Sequence, residues 1–505
     1  MEKTDRKKSI LIDILIIMGF ICIASGNIFK QQLSNLDEIW IYNFGRCILN
    51  GLLPYKDFNI IITPLFAYIS AFFLKLFGDE MIVLRFAEAV QTGFILFMVY
   101  KVFEKLKVNK GVSLISALAI YILFASVFCF DYNWAVLLIA LIILYIEIDD
   151  KKDLEFNYKR DLLIGMLAGI SILLKQTSGI IISAMLIFYK IVEMRKTKDI
   201  KEFVNIAVTR MLGTLLPLLL FAIYLTVNNI WTEFIDYAIL GIKTFTNIVP
   251  YSRLFETDTI LAYAIPACMV IIMIISIITL IFKKFRESDW SKNIRTLMSF
   301  DIATAVVIYP IADRSHFAIA SICTVITIIY LIHLWIVYGL KVESEKVKKI
   351  CNRGFNILAI IIFVIYIVIF SLITINYFKS LDNKRFITHF QCIDTDEEIY
   401  YAIEEIDNYI KSKNEEVLIL DSMAAAINIP LDKYHKDYDM FNIGNFGIKG
   451  EEGIIEDLNS RHYSLLLVKK DYFKTNWQHP DNVVEYVKEN YNKVDEVGNF
   501  DVYSK

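Results

Sequence analysis

Two adjacent carboxylates, Asp37 and Glu38, open the stretch "LDEIWIYNFGRCILNGLLPYKDFN", which follows the first long apolar run of the chain and also carries Arg46, Tyr55 and Asp57. Basic residues recur in other apolar surroundings: Lys175, beside Gln176, in "LLKQTSG", and Arg314 and His316 in "ADRSHF". A positioned carboxylate can take the proton of an attacking hydroxyl or amine. A guanidinium offers a planar fork to phosphate oxygens, and an ammonium adds a point charge. Charges next to hydrocarbon are costly and are usually retained for a substrate or an ion. Quieter roles compete: Asp37 or Asn35 can cap a helix, Arg314 can pair with Asp313, and long basic side chains can snorkel to headgroups.

The elements that must hold these groups are membrane helices. The chain has 505 residues, 56% of them hydrophobic, and a mean hydropathy of +0.51. Runs such as "ILAYAIPACMVIIMIISIITLIF" are long enough to cross ~30 Å of hydrocarbon. The N-terminus has a basic head and a long apolar body, read as a retained first span rather than a cleaved signal. Net charge is −3, and no basic, aromatic-interleaved patch points to nucleic acid. Cys22, Cys129, Cys268 and Cys323 sit in apolar runs, where packing is the default, and no cysteine–histidine spacing suggests a metal site.

Clusters of lysine and arginine at 3–8, 101–110, 151–160, 190–198, 283–286 and 346–353, the third including Lys151 and Lys152, belong on the cytoplasmic side by the positive-inside rule. They fall at every second connection if eleven spans are drawn, at 10–29, 80–100, 111–130, 134–148, 161–174, 179–193, 204–227, 259–282, 296–312, 316–338 and 355–378. The segment from Ile62 to Gly78 breaks this parity if it spans, so it is expected to be a membrane-embedded helix of the first exterior loop. The N-terminus is then cytoplasmic and the C-terminal segment extracytoplasmic.

In that loop the spacing predicts an interfacial helix to about Asn50, with Trp40, Phe44, Cys47 and Ile48 on one face and Asn43, Arg46 and Asn50 on another. Other exterior turns are short and polar, and "FDYNW" presents Asp131, Tyr132 and Asn133. Residues 1–379 are expected to form the membrane domain and 380–505 a small α/β domain with a mostly parallel sheet. Its helix-like segments are "DEEIYYAIEEIDNYIKSK" and "DNVVEYVKENY", its strand-like ones "EVLILD" and "YSLLLVKKD". His333 reads as a packed residue within a span, and His435, His462 and His479 show no metal-ligand spacing.

Taken in order, these residues resemble the GT-C superfamily of membrane glycosyltransferases, on the branch of the protein O-mannosyltransferases and aminoarabinose (lipid A) transferases. The resemblance rests on the exterior acid pair, the following helix, "GLLPYKD", and the proline-led "TPLFAYISAFFLKLFG"; "LLKQTSG" and "DRSHF" are similar to later motifs of the family. It runs from about residue 10 to 340. Where relatives carry H-P-P-L, this chain reads "ITPLF", and its tail matches no acceptor-binding domain of the family.

The resemblance implies a polytopic GT-C-like helical fold of about eleven transmembrane helices and a polyprenyl-phosphate sugar donor entering from the outer leaflet. The acceptor would be a cell-envelope glycan, lipid or protein. It makes Asp37 the general base of an inverting single displacement. Lys175, Gln176, Arg314 and His316 would hold the donor phosphate, while Glu38, Tyr42, Arg46, Tyr55, Asp57, Asp131 and Tyr132 shape the sugar and acceptor pocket. No cofactor is expected, although Asp131 with Asp37 could hold a divalent cation, as paired acids do in oligosaccharyltransferase relatives. Two readings from other classes stand beside this one. A transporter or lipid-linked-sugar flippase would show ionisable groups in mid-span, and an adaptor would show polar turns that do not converge.

Overall fold

The computed structural model describes the chain except for residues 1, 34–35, 149–154, 245–247, 287, 340–344, 383, 414, 442–445, 462 and 471–479. Asn35, Lys151, Lys152, His462 and His479 therefore lie outside the described residues. Helices of ten residues or more are numbered in chain order. From the N-terminus these are α1 Glu2–Ile28, α2 Leu36–Leu49, α3 Leu65–Phe77, α4 Met81–Lys105, α5 Lys110–Phe124, α6 Tyr132–Glu147, α7 Tyr158–Leu174, α8 Gln176–Thr197 and α9 Ile200–Val227. After them come α10 Thr259–Ile281, α11 Asp289–Ala305, α12 Arg314–Gly339, α13 Glu345–Ser380, α14 Glu397–Ser412, α15 Gly450–Ser460 and α16 Asp481–Asn490.

Each of the eleven apolar segments read from the sequence lies largely on a helix. Seven helices (α1, α4, α8, α9, α10, α12 and α13) hold a stretch long and apolar enough to cross a membrane, and the protein is a multi-pass membrane protein. The helix α3 has 13 residues, a rise of about 20 Å, short of the ~30 Å a span requires. Two boundaries need correction, and in the first the segment expected at 111–130 ends as a helix at Phe124. The segment expected at 296–312 begins at Asp289 and ends at Ala305, because its first half is buried through the polar Ser291, Arg295 and Thr296 as well as Ile294 and Leu297. Arg295 there is buried and bonds Glu193 of α8 at 3.0 Å.

The helices belong to two compact units. The first comprises Met1–Ile28, Glu88–Leu220 and Val249–Asn376; the second comprises Phe29–Ala87, Phe221–Ile248 and Tyr377–Lys505. The C-terminal residues thus share a unit with the first long loop.

In the first unit, α7 and α8 form a hairpin with a single linking residue, Lys175, in extended conformation. Gly179 permits this: a Cβ there would lie 2.3 Å from the backbone nitrogen of Ile172. Gly165 plays the same part between α7 and α9, where a Cβ would meet the carbonyl oxygen of Arg210 at 2.2 Å. That approach brings Asp161 to Arg210, whose Nη2 it accepts at 2.7 Å and Nε at 2.9 Å. Glu147, at the end of α6, completes the set by pairing with Arg210 at 2.5 Å and with Lys190 of α8 at 3.0 Å. All four side chains are buried.

The second unit contains a four-stranded sheet of β1 Val417–Leu420, β2 Leu465–Lys469, β3 Asn492–Val497 and β4 Phe500–Ser504, in the order β1-β2-β4-β3. Only β1 and β2 run parallel; β4 pairs antiparallel with both β2 and β3. The expected mostly parallel sheet is therefore a mixed one. The β3–β4 hairpin escaped the pattern because β3 is largely exposed and charged. Alternation divides the core: Leu418, Leu420, Leu466 and Val468 pack with α15 and α16 on one face, while Val417, Ile419, Leu465 and Leu467 pack with α14 on the other. Burial on both faces explains why β1 and β2 read as unbroken apolar runs.

Candidate active site

In the first unit the polar turns at the start of α6, α8 and α12 are linked by hydrogen bonds. Asp131 caps α6, accepting from the Trp134 backbone N–H at 2.9 Å with Oδ1. Its Oδ2 accepts from the Asn133 side-chain amide at 3.4 Å. That contact turns the Asn133 carbonyl oxygen toward Lys175, whose Nζ donates to it at 2.7 Å. The same ammonium lies 5.4 Å from the centre of the Tyr132 ring. Asp131 therefore acts on Lys175 through Asn133, and Gln176 follows as the first residue of α8.

The turn before α12 joins this cluster through Ser315, whose hydroxyl accepts from Trp134 Nε1 at 3.3 Å and donates to the Val127 carbonyl at 3.2 Å. Trp134 stacks on Phe128 with ring centres 4.2 Å apart. Its neighbours are engaged locally. Asp313 accepts from the His316 backbone N–H at 2.8 Å and lies 2.9 Å from its Nδ1. Arg314 pairs not with Asp313 but with Asp258 at 3.1 Å, and its side chain stays half exposed.

In the second unit the two adjacent acids are held differently. Glu38 is bridged by Arg85 through two bonds, Nε to Oε1 at 2.7 Å and Nη2 to Oε2 at 3.1 Å. Arg85 is fully buried and also donates to the Gln31 carbonyl. This clamp fixes the entry to α2. Asp37 lies in the first turn of α2, where the helix dipole favours a carboxylate, and is exposed.

The remaining expected residues of this loop meet the C-terminal part of the same unit. Arg46 is 1% exposed, yet its guanidinium reaches Asp79 at 3.0 Å, Asp432 at 2.5 Å and the Ile429 carbonyl at 3.1 Å. His389 Nε2 lies 3.0 Å from Nη2. Burial opposes the charge, but the Asp432 and Asp79 hydrogen bonds outweigh it and raise the Arg46 pKa. Tyr42 donates to Asp79 at 3.2 Å, and its pKa is raised, first by burial and then by that carboxylate. Asn43 donates to the buried Asp439 at 3.1 Å, and Asn50 to the Tyr434 hydroxyl at 2.6 Å. The polar face of α2 is thus directed at the C-terminal residues. Tyr55, at φ +69°, donates to the Ile62 carbonyl at 2.8 Å, and Asp57 accepts from the Leu53 N–H at 2.8 Å, so both shape the turn before α3.

The partners that define these roles carried no local signal. Asp79, His389, Asp432 and Asp439 lie 33 to 396 residues from the α2 side chains they meet. Among the described residues no group of three or more His, Cys, Asp or Glu side chains is arranged to hold a metal ion.

Residues 62–221, about a third of the chain, match the family model of dolichyl-phosphate-mannose-protein mannosyltransferase. Among solved structures, the chain is similar to ArnT from Cupriavidus metallidurans bound to undecaprenyl phosphate, with a TM-score of 0.52 at 10% identity, covering 98% of this chain and 98% of that one. It is similar also to ArnT of the same organism in the apo state, with a TM-score of 0.54 at 9% identity, covering 99% of this chain and 98% of that one. No curated protein sequence matches it.

Proposed function

We propose that this chain, which has the fold of the GT-C membrane glycosyltransferases and resembles their O-mannosyltransferase and aminoarabinose-transferase branch, transfers a sugar from a polyprenyl-phosphate donor to an acceptor hydroxyl or amine at the outer face of the membrane. The observation that carries the assignment of roles is the division of the acid pair: Glu38 is bound by Arg85, while Asp37 beside it is exposed. Asp37 takes the proton of the acceptor as its oxygen or nitrogen attacks the anomeric carbon. The carbon–oxygen bond to the lipid phosphate breaks in the same step, and the configuration inverts. General-base assistance of this kind contributes about 10²–10⁴-fold.

The leaving lipid phosphate needs positive charge more than it needs a proton. Lys175, presented by Asn133 and Tyr132, supplies it; Gln176, Arg314 and His316 are further ligands of the phosphate. Glu38, Tyr42, Arg46, Tyr55 and Asp57 act indirectly in this reading, by holding α2 and the turn before α3. Asp131 and Tyr132 act through Lys175. The ArnT structure with undecaprenyl phosphate supports a lipid-linked donor.

The test is transfer itself. Membrane vesicles containing the protein are given polyprenyl-phosphate sugars labelled in the sugar. Release of free polyprenyl phosphate with label on a second molecule is the expected result. Movement of intact labelled donor between leaflets, with no transfer, overturns the reading in favour of a flippase.

A further inference from the structure

We propose that the first unit binds a sodium ion between α11 and α12, at the carboxylate of Asp301 and the hydroxyls of Thr324 and Thr327. The proposal does not depend on the glycosyl-transfer reading and concerns residues with no part in it.

Asp301 is 2% exposed, and Thr324 and Thr327 are fully buried. Thr327 stands midway along the 26 residues of α12, an apolar helix long enough to cross a membrane. Asp301, which it meets, is therefore a carboxylate at the depth where a lone charge costs most. No cation among the described residues pairs with it, and its Oδ1 has no hydrogen-bond partner. The arginine of the same helix is already taken, Arg295 by Glu193 at 3.0 Å. A buried carboxylate left in this way must be neutralised by a proton or by a metal cation.

The hydroxyls decide between the two. Thr327 has one hydroxyl proton, and the Cys323 carbonyl lies 2.9 Å from its oxygen, whereas Asp301 Oδ2 lies at 3.3 Å, beyond the usual range of an O–H···O bond. The carbonyl takes the proton, so a lone pair of the hydroxyl faces the carboxylate. A proton shared between those two oxygens would draw them to about 2.7 Å; a metal ion that both coordinate keeps them apart. Thr304 repeats the arrangement on α11, its hydroxyl donating to the Phe300 carbonyl at 2.9 Å and standing 3.4 Å from the Asp301 carbonyl oxygen. Thr324, three residues before Thr327 and so on an adjoining face of α12, has a buried hydroxyl oxygen with no partner. Oxygens with a single negative charge among them suit an alkali cation, since a divalent ion would leave a net charge within the membrane. Ion sites of this composition occur near the bilayer midplane, and burial on all sides makes this ion resident rather than transported.

The full-length protein, purified in a neutral detergent, is moved into choline chloride and titrated with sodium chloride or magnesium chloride at constant ionic strength. Its thermal midpoint and its uptake of radioactive sodium are followed. Sodium is expected to raise the midpoint to a plateau, with about one ion bound per chain, and magnesium to leave it unchanged. Asp301→Asn should abolish saturable uptake. Thr324→Val should weaken the half-saturating concentration about tenfold, while Thr324→Ser, which keeps the hydroxyl, should bind as the parent does. The Thr324 pair removes no charge and keeps the test decisive if Asp301→Asn fails to fold. Absence of saturable sodium uptake, an equal response to magnesium, or undiminished uptake in Asp301→Asn or Thr324→Val would each overturn the proposal. So would a midpoint governed by pH and indifferent to sodium, the result of a proton on Asp301.

Discussion

The helices α6, α7 and α8 carry polar groups at both of their ends, and the two ends are built on different plans. At one, Glu147, Asp161, Lys190 and Arg210 bridge one another in a buried set of alternating charge. At the other, Asp131 orients Asn133, and Asn133 offers a neutral carbonyl oxygen to Lys175. A cation bridged by buried carboxylates cannot be given up without stranding them, so the first arrangement works as a fastener. The Lys175 ammonium donates to a neutral amide and stands near a ring, and a phosphate anion is a stronger partner than either. Helix ends of similar composition can therefore differ in what they are able to bind.

The second unit repeats the contrast on a smaller scale. Glu38 and Asp37 are neighbours in sequence, but Glu38 is bridged by Arg85 through two bonds while Asp37 is exposed. Asp439 adds a third case, a buried carboxylate met by amides: Asn43 and Asn428 donate to it at 3.1 Å and 2.9 Å, and the His435 N–H at 3.2 Å.

The sharpest way to break the comparison is Arg210→Met. It leaves Asp161 and Glu147 buried without that guanidinium and should cost about 3–5 kcal/mol, seen as a large fall in thermal midpoint or in recovered protein. At the opposite end Lys175→Met should reverse the pattern. Stability should move by no more than ~1 kcal/mol, while sugar transfer falls about 10²–10³-fold, as for removal of one group that stabilises a developing anion. If Lys175→Met unfolds the protein and Arg210→Met does not, the two ends have been assigned the wrong way round.

A third outcome concerns pH and the second unit. Burial pushes the Asp439 carboxyl up to about 6, above its ordinary value. Its contribution to stability is therefore complete below about pH 4 and is lost as the pH rises through about 6, a change of about 3 kcal/mol. Asp437 is raised by burial as well and adds to the same side. His435 opposes them: burial lowers its ring to about 4, so its contribution is complete above about pH 6.5 and is lost as the pH falls through about 4. The intact protein should show a shallow pH dependence of its thermal midpoint between about pH 4 and 6.5. Asp439→Asn should tilt it toward greater stability at higher pH, and His435→Asn the other way. The smallest effect is expected of Asp131→Ala, which removes a helix cap at about 1 kcal/mol and loosens Asn133, so transfer should fall by less than in Lys175→Met.

Much of the helical scaffold was legible because apolar runs of membrane length report themselves. The largest exception, α11, is displaced by seven residues because a face buried in part through Arg295, Ser291 and Thr296 does not look apolar. The sheet differs from the expected one for a related reason, its outer strand being exposed along most of its length and charged at Lys493, Asp495 and Glu496. The candidate residues could be picked out by type, and Asp131, Lys175 and the turn at Ser315 do come together in the first unit. Their individual roles could not be read. Nothing near Glu38 announces Arg85, 47 residues on, and nothing near Arg46 announces Asp432, 386 residues away. Whether a polar residue meets substrate or another part of the chain is decided by tertiary partners, and spacing along the sequence is silent about those.

The central claim is that two neighbouring acids divide their work, Asp37 serving the reaction and Glu38 the fold. The direct measurement is to compare Asp37→Asn with Glu38→Gln for recovered protein, donor-lipid binding and rate of sugar transfer. The account predicts that Asp37→Asn folds, binds donor and loses about 10²–10⁴-fold in rate, while Glu38→Gln loses stability before it loses chemistry. An Asp37→Asn protein that transfers sugar at the normal rate would contradict it.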